Sequence, residues 1–325
     1  MKLAVIGAGQ LGSRHLQALS LLDSENIHIQ VLDLNQASLE VAEQRMKAMN
    51  YESNRFHVDY ISDYKELYSD IDVVVIATGA DVRFRAISSL LEVASVRYLI
   101  LEKVLFQTEL EYAETFSLLE KHDVAAWVNC PQRTWDIYQQ IRAEITQDSV
   151  IEMSVTGGQW GLACNAIHYI DLFAFLSESP VLNVSTERLL PKTVPSKRDS
   201  FIELVGTMTA WTENGSHLIL RSFEESDAPV LVTIDSGTHR FTIRENERHF
   251  MKSSGSKGWC WDEDDYKVPY QSEATNRLVE QLMASGTCSL STYSDSMSLH
   301  LPLIRAINNY LTALTNTEVT KCPIT

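Results

Sequence analysis

Short apolar runs alternate with amphipathic stretches through the first 130 residues. Runs of strand type fall at 3–6, 27–32, 56–60, 72–77, 98–101 and 125–130. The run at 72–77 (DVVVIA) is rich in β-branched residues, as a central parallel strand should be. Between the runs, apolar residues recur at helical spacing: Leu16, Leu19 and Leu22; Leu39, Ala42, Met46 and Met49; Phe84, Ile87, Leu90 and Leu91. A helix over 12–22, another over 36–49, a cap and short helix at 62–66 and a helix at 109–122 complete the series. This order predicts a doubly wound α/β domain with a parallel sheet. Ligands of such sheets bind beyond the carboxyl ends of the strands. That rule places Thr78, Glu102, Lys103 and residues 129–132 on one rim.

After about residue 148 the pattern changes. Segments 150–157, 201–212, 217–222, 230–235 and 238–244 alternate or run apolar with strand propensity, separated by turn signals such as Glu213-Asn214-Gly215 and Asp235-Ser236-Gly237. A mainly antiparallel sheet is expected, interrupted early by a helix over 163–176 and followed by a helix over 294–314. The Ser/Lys/Gly-rich stretch 252–258 reads as a loop. The division that follows is 1–128 for the first domain and 129–325 for the second, with the last helix free to pack back on the first.

The turn after the first strand holds the most specific pattern. Gly7-Ala8-Gly9-Gln10-Leu11-Gly12 has the G-x-G-x-x-G spacing between a strand and a helix, as in a Rossmann dinucleotide site. Gly7 permits the tight turn, Gly9 lets a pyrophosphate approach the backbone, and Gly12 lets helix and strand pack closely. The free N–H groups of the helix's first turn then face the phosphates. Asp33, at the end of the second strand, stands near the offset expected for an acid that accepts from the adenosine ribose. It would repel a 2′-phosphate, and Leu34, Asn35 and Gln36 after it are not basic, so NAD(H) is expected over NADP(H). A helix N-cap would use the same residue type and is the alternative reading of Asp33.

Composition narrows the class. The 325 residues suit two domains, and 45% hydrophobic with 22% charged residues is ordinary for a globular protein. The net charge of −16 argues against nucleic-acid or anionic-membrane partners, which need a basic surface. The five cysteines are scattered and form no C-x-x-C, so free thiols, no metal site and a cytoplasmic setting are expected. No apolar run approaches the ~18 residues that span a bilayer.

Two places offer acid–base chemistry. Lys103 follows Glu102 at the end of a buried strand, where a poorly solvated amine can hold or donate the proton of a substrate hydroxyl; a surface lysine paired with Glu102 is the alternative. His168-Tyr169-Ile170-Asp171 puts imidazole and carboxylate on one helical face, suited to proton transfer. The apolar neighbours Ile167, Ile170, Leu172, Phe173 and Phe175 favour a buried helix over a surface pair. Asn129, Gln132, Arg133 and Asn165 add polar groups fit for a polyhydroxylated ligand. Gly157-Gly158-Gln159-Trp160-Gly161 is a gating or a connecting loop, Lys192, Lys197 and Arg198 form a local basic cluster, and Trp259 and Trp261 flank Cys260.

Taken together, Gly7 to Gly12, Asp33, Ala77-Thr78, Glu102-Lys103 and His168-x-x-Asp171 resemble the Gfo/Idh/MocA family of NAD(P)-dependent oxidoreductases over most of the chain. The resemblance implies cofactor contacts at Gly7, Gly9, Gln10, Leu11, Gly12, Asp33, Thr78 and Glu102. It implies Lys103 and His168 beside the reacting carbon, with Asp171 as neighbour. Val104 stands where the family has proline, and Cys164 where it often has aspartate. The segment from Trp160 through Cys164 and Asn165 to His168 is similar to a subgroup of bacterial surface-sugar synthesis acting on nucleotide-linked or amino sugars or nonulosonic acid precursors. Substrate contacts are expected at Trp160, Cys164 and Asn165 within that segment, and at Asn129 and Arg133 among the polar groups named above. A homodimer or homotetramer built through the second domain's sheet is the family expectation. The rival readings are a non-catalytic NAD-binding sensor of this fold and a reductase of a non-sugar substrate.

Overall fold

The runs of strand type become the parallel strands of the first unit in the computed structural model, which describes residues 1–49, 55–146 and 149–325. They are β1 (Lys2–Ile6), β2 (Ile27–Leu32), β3 (Phe56–Ile61), β4 (Asp70–Ile76), β5 (Ser95–Glu102) and β6 (Ala125–Asn129), in the spatial order β3-β2-β1-β4-β5-β6. Val5 pairs with Val31 on one side and Val75 on the other. The order reverses between β1 and β4, and the crevice beyond their carboxyl ends is where such sheets take ligands. The connecting helices are α1 (Gln10–Leu19), α2 (Gln36–Lys47), α3 (Arg83–Val93) and α4 (Glu109–Lys121). Asn35 caps α2 by accepting from the Ala37 N–H, and Thr108 with Glu111 forms a capping box on α4.

The chain divides into two compact units, Met1–Asn129 with Pro269–Ser296, and Cys130–Val268 with Met297–Thr325. The segment that returns to the first unit is therefore Pro269–Ser296, whereas the body of the last helix (Tyr293–Thr315) belongs to the second. The reason is the packing of one helix face. The helix Thr275–Ser285 carries Leu278, Val279 and Leu282 on one face, and these join Leu3, Leu16 and Leu19 in the core. Ser291–Thr292 then adds an antiparallel strand beside β6. The sheet-forming texture expected after about residue 148 begins, among the described residues, with the strand Glu152–Gly158.

The second unit contains α5 (Asp136–Glu144), β7 (Glu152–Gly158), α6 (Leu162–Ser177) and β8 (Val181–Leu189). A two-residue ladder of β9 (Val194–Pro195) and β10 (Ile202–Glu203) follows. The remaining strands are β11 (Gly206–Thr212), β12 (His217–Phe223), β13 (Leu231–Asp235), β14 (His239–Arg244), β15 (His249–Ser254) and β16 (Trp261–Asp265). The main sheet runs β16-β15-β14-β13-β7-β12-β11-β8, with β7 and β12 parallel and its other described pairings antiparallel. Period-two burial (Met208 and Ala210, Leu218 and Leu220, Val232 and Ile234, Phe241 and Ile243) gives this sheet one buried face. Among the described residues no helix is long and apolar enough to cross a membrane.

Two expectations are corrected. The single strand expected over 201–212 is split at Leu204-Val205, and Gly206 resumes at φ +111° where a Cβ would meet the Arg188 carbonyl oxygen at 2.7 Å. The stretch 252–258 is a loop only from Gly255 on, because Lys252, Ser253 and Ser254 pair with β14. Edge strand β16, Trp-Asp-Glu-Asp-Asp, is exposed throughout and carries no alternation from which to read it.

Candidate functional site

In the first unit the glycine loop is built by three different demands. Gly7 has φ +95°, and its N–H donates to the Leu32 carbonyl at 2.8 Å. Gly12 must lack a side chain, because a Cβ there would sit 1.7 Å from the Gly7 carbonyl oxygen. Gly9 is not required by packing, since a Cβ on it would meet nothing within 4 Å. Gly9 is also the N-cap of α1, with no side-chain cap, and Gln10 beside it is exposed while Leu11 is half-buried. A helix N-terminus left uncapped behind a side-chain-free position is the surface a pyrophosphate needs. These residues fit a dinucleotide.

Asp33 fixes this loop from the next strand. Its Oδ2 accepts from the Ala8 N–H at 2.7 Å and its Oδ1 from the Asn35 N–H at 2.8 Å. The N-cap of α2 is Asn35, so capping does not account for Asp33. Across the rim, the backbone of Ala77 and Thr78 lies 3.0 Å from a Cβ position on Gly7. Thr78 Oγ1 is buried and has no hydrogen-bond partner among the described residues.

Glu102 ends β5 with its side chain turned inward. Its Oε1 meets His15 Nε2 at 2.9 Å and accepts from Asn129 Nδ2 at 2.5 Å. Burial alone would raise its pKa, but the bonds and charge from His15, the Asn129 donor and the charge of Arg83 outweigh it and hold the carboxyl at about 2. His15 Nδ1 bonds Thr275 Oγ1 at 2.8 Å, and Gln271 bridges Thr275 and Asn129. Glu102 and Asn129 thus belong to a buried network that ties α1, β5 and β6 to the returning segment. Lys103 follows on the rim, half-buried, with a cis peptide to Val104.

In the second unit α6 holds His168 half-buried and Asp171 fully buried, one turn apart. Arg133 Nη1 donates to Asp171 Oδ1 at 3.4 Å, and its guanidinium lies over the Phe175 ring at 4.9 Å. Trp160 donates to the Arg221 carbonyl at 2.9 Å and meets the Tyr169 ring edge-on at 5.4 Å. Asn165 Nδ2 donates back to the Trp160 carbonyl at 2.8 Å, which fixes the loop entering α6. The Cys164 thiol faces the Ile202 carbonyl at 3.9 Å, on the side of α6 that meets β10.

Several residues of this neighbourhood escaped sequence reading. Glu245, just past β14, accepts from Tyr138 at 2.6 Å and Tyr169 at 2.8 Å, with Gln132 at 3.5 Å. Burial raises its carboxyl against the pull of those three donors. Its position two residues beyond Ile243 continues the buried face of β14, a signal open to a reader who extends the strand's parity. Arg83 and His15 offered no local signal, because their burial is decided by tertiary partners.

Residues 1–130 match the family model described as oxidoreductase family, NAD-binding Rossmann fold (GFO_IDH_MocA). No curated protein sequence matches the chain. Among solved structures, it is similar to an oxidoreductase from Agrobacterium radiobacter in complex with NAD+, L-tartaric acid and magnesium, at 15% identity and TM-score 0.71, covering 96% of this chain and 97% of that one. It is similar to UDP-N-acetylglucosamine 3-dehydrogenase from Acidithiobacillus ferrooxidans, at 15% identity and TM-score 0.68, covering 94% and 96%. It is also similar to the super-repressor mutant of Gal80p from Saccharomyces cerevisiae, at 13% identity and TM-score 0.71, covering 98% and 97%. At these identities the likeness is one of fold.

Proposed function

We propose that this chain, whose residues 1–130 carry the NAD-binding Rossmann fold of the Gfo/Idh/MocA oxidoreductase family, moves hydride between NAD(H) and a CH–OH carbon of a sugar or sugar derivative. One observation carries the reading: the uncapped start of α1 behind Gly9, where no described residue comes within 4 Å of a Cβ position. The nicotinamide ring supplies the hydride acceptor or donor when bound. The glycine loop and the first-turn N–H groups would hold the pyrophosphate, and the half-buried Asp33 would accept from the adenosine ribose, with no basic side chain in Leu34, Asn35 or Gln36 after it. That arrangement supports NAD(H) over NADP(H), since a carboxylate repels a 2′-phosphate.

The acid–base groups of this reading are Lys103 in the first unit and His168 in the second, with Asp171 aligning His168 and Arg133 balancing Asp171. Imidazole suits proton exchange near neutral pH, and a half-buried amine suits exchange with an alkoxide. The polar set His168, Asp171, Arg133 and Asn165 supports a ligand rich in hydroxyls. The dehydrogenase of similar fold that acts on a UDP-amino sugar supports nucleotide-linked sugars as the class to try first. Fluorescence titration with NADH and NADPH tests the cofactor half. NADH is expected to bind about a hundredfold more tightly, the scale of a like-charge penalty of a few kcal/mol. Equal affinities would remove Asp33 from its assigned role, and no binding of either would remove the cofactor reading.

A further inference from the structure

Arg83 is the first residue of α3 and is only 1% exposed. A guanidinium enters an interior only where its charge is balanced and its donors are used. Its Nη1 donates to the carbonyls of Val104 and, at 2.7 Å, Leu105, and its Nη2 donates to the Thr78 carbonyl. These carbonyls lie on the two segments that leave the carboxyl ends of β4 and β5. The first segment is the wall of the glycine loop, where the Thr78 nitrogen stands 3.0 Å from a Cβ position on Gly7. The second begins with Lys103. The positive charge of Arg83 also acts on Glu102, the residue before it.

We propose that Arg83 is a positioning residue for Lys103: by tying the Val104 and Leu105 carbonyls to that of Thr78, it sets where Lys103 stands relative to the glycine loop. The planar fork is what the task needs. It presents donors in fixed directions to three carbonyls at once, whereas an ammonium offers a single point of charge. Its bearing on catalysis rests on the proposed role of Lys103, but the placement itself is measurable without turnover.

The test is competitive acylation of the full-length protein with acetic anhydride across a range of pH, with Lys103 followed by mass spectrometry. Lys47 and Lys192 serve as internal references. In Arg83→Met the midpoint for Lys103 is expected to move by about one pH unit, a roughly tenfold change in rate below the midpoint, while the reference lysines hold. Arg83→Lys keeps the charge but not the fork, so its Lys103 profile is expected to be displaced in the same direction by less. A folded Arg83→Met with the wild-type Lys103 profile overturns the proposal. So does Arg83→Lys with the wild-type profile, since charge alone would then suffice; this arm also decides the matter where Arg83→Met does not fold. Turnover that survives Lys103→Ala would overturn the catalytic reading of Lys103 and leave the labelling result standing, so the two failures are distinguishable.

Discussion

Gly9 and Gly12 separate two requirements that a sequence motif merges. Gly12→Ala puts a Cβ 1.7 Å from the Gly7 carbonyl oxygen, so it is expected to lower the melting temperature as well as NADH affinity. Gly9→Ala has room in the protein. It should leave the melting temperature unchanged and weaken NADH about tenfold or more by crowding the pyrophosphate. Calorimetry and fluorescence titration on the two variants check the contrast; a cofactor site elsewhere would leave NADH affinity intact in Gly9→Ala. Glu102 gives a prediction in pH. Its folded value of about 2 lies below the ordinary 4.5, so its stabilisation is fully present above pH 4.5 and is lost as pH falls toward 2. The shift corresponds to ~3 kcal/mol at most. Denaturant unfolding of wild type and Glu102→Gln should differ most above pH 4.5 and converge on acidification; a constant difference across pH would contradict the ionised network. Lys103→Ala is expected to cut turnover by about two or more orders of magnitude with NADH affinity kept.

The elements were legible in proportion to how local their causes are. β2 is read at its observed bounds, because a strand-type run with apolar Ile27, Ile29 and Val31 at period two, between turn residues, needs no distant partner. The glycine loop and α6 are legible for the same reason: spacing within one stretch fixes which residues share a turn or a face. The returning helix Thr275–Ser285 has Leu278, Val279 and Leu282 at helical spacing, but that spacing does not name its partners Leu3, Leu16 and Leu19, some 260 residues upstream, or the meeting of Thr275 with His15. Edge strand β16 lacks alternation because both of its faces are exposed. The candidate residues of each unit show the same division. Lys103, His168 and Asp171 were visible as residue types at chemical spacing, but Asn129 proves bound to Glu102 and Gln271, and Arg83 and Glu245 emerge only from packing. Leu282→Ala tests the returning helix directly. A buried leucine deleted from a shared core should lower stability by about 2–4 kcal/mol, read by denaturant unfolding; a loss near zero would mean the helix is not part of that core.

At the scale of the whole molecule, two compact units are each closed by chain from the far end: Pro269–Ser296 completes the first and Met297–Thr325 the second. A fragment ending at residue 130 would therefore carry the full G-x-G-x-x-G motif yet lack Leu278, Val279 and Leu282 in its core and Thr275 beside His15. The net charge of −16 leaves a small anionic or neutral ligand to be recognised by local groups, of which Arg133 and the uncapped start of α1 are the ones described. On the proposed reading this molecule exchanges hydride between NAD(H) and a CH–OH carbon of a sugar or sugar derivative. The most direct measurement is absorbance at 340 nm with NAD+ and a panel of free sugars, amino sugars and UDP-linked sugars, wild type beside Lys103→Ala. NADH formation is expected with one sugar class, and its loss in Lys103→Ala. Tight NADH binding with no turnover on any member of the panel would contradict it and leave the cofactor-binding sensor and the reductase of a non-sugar substrate as the readings.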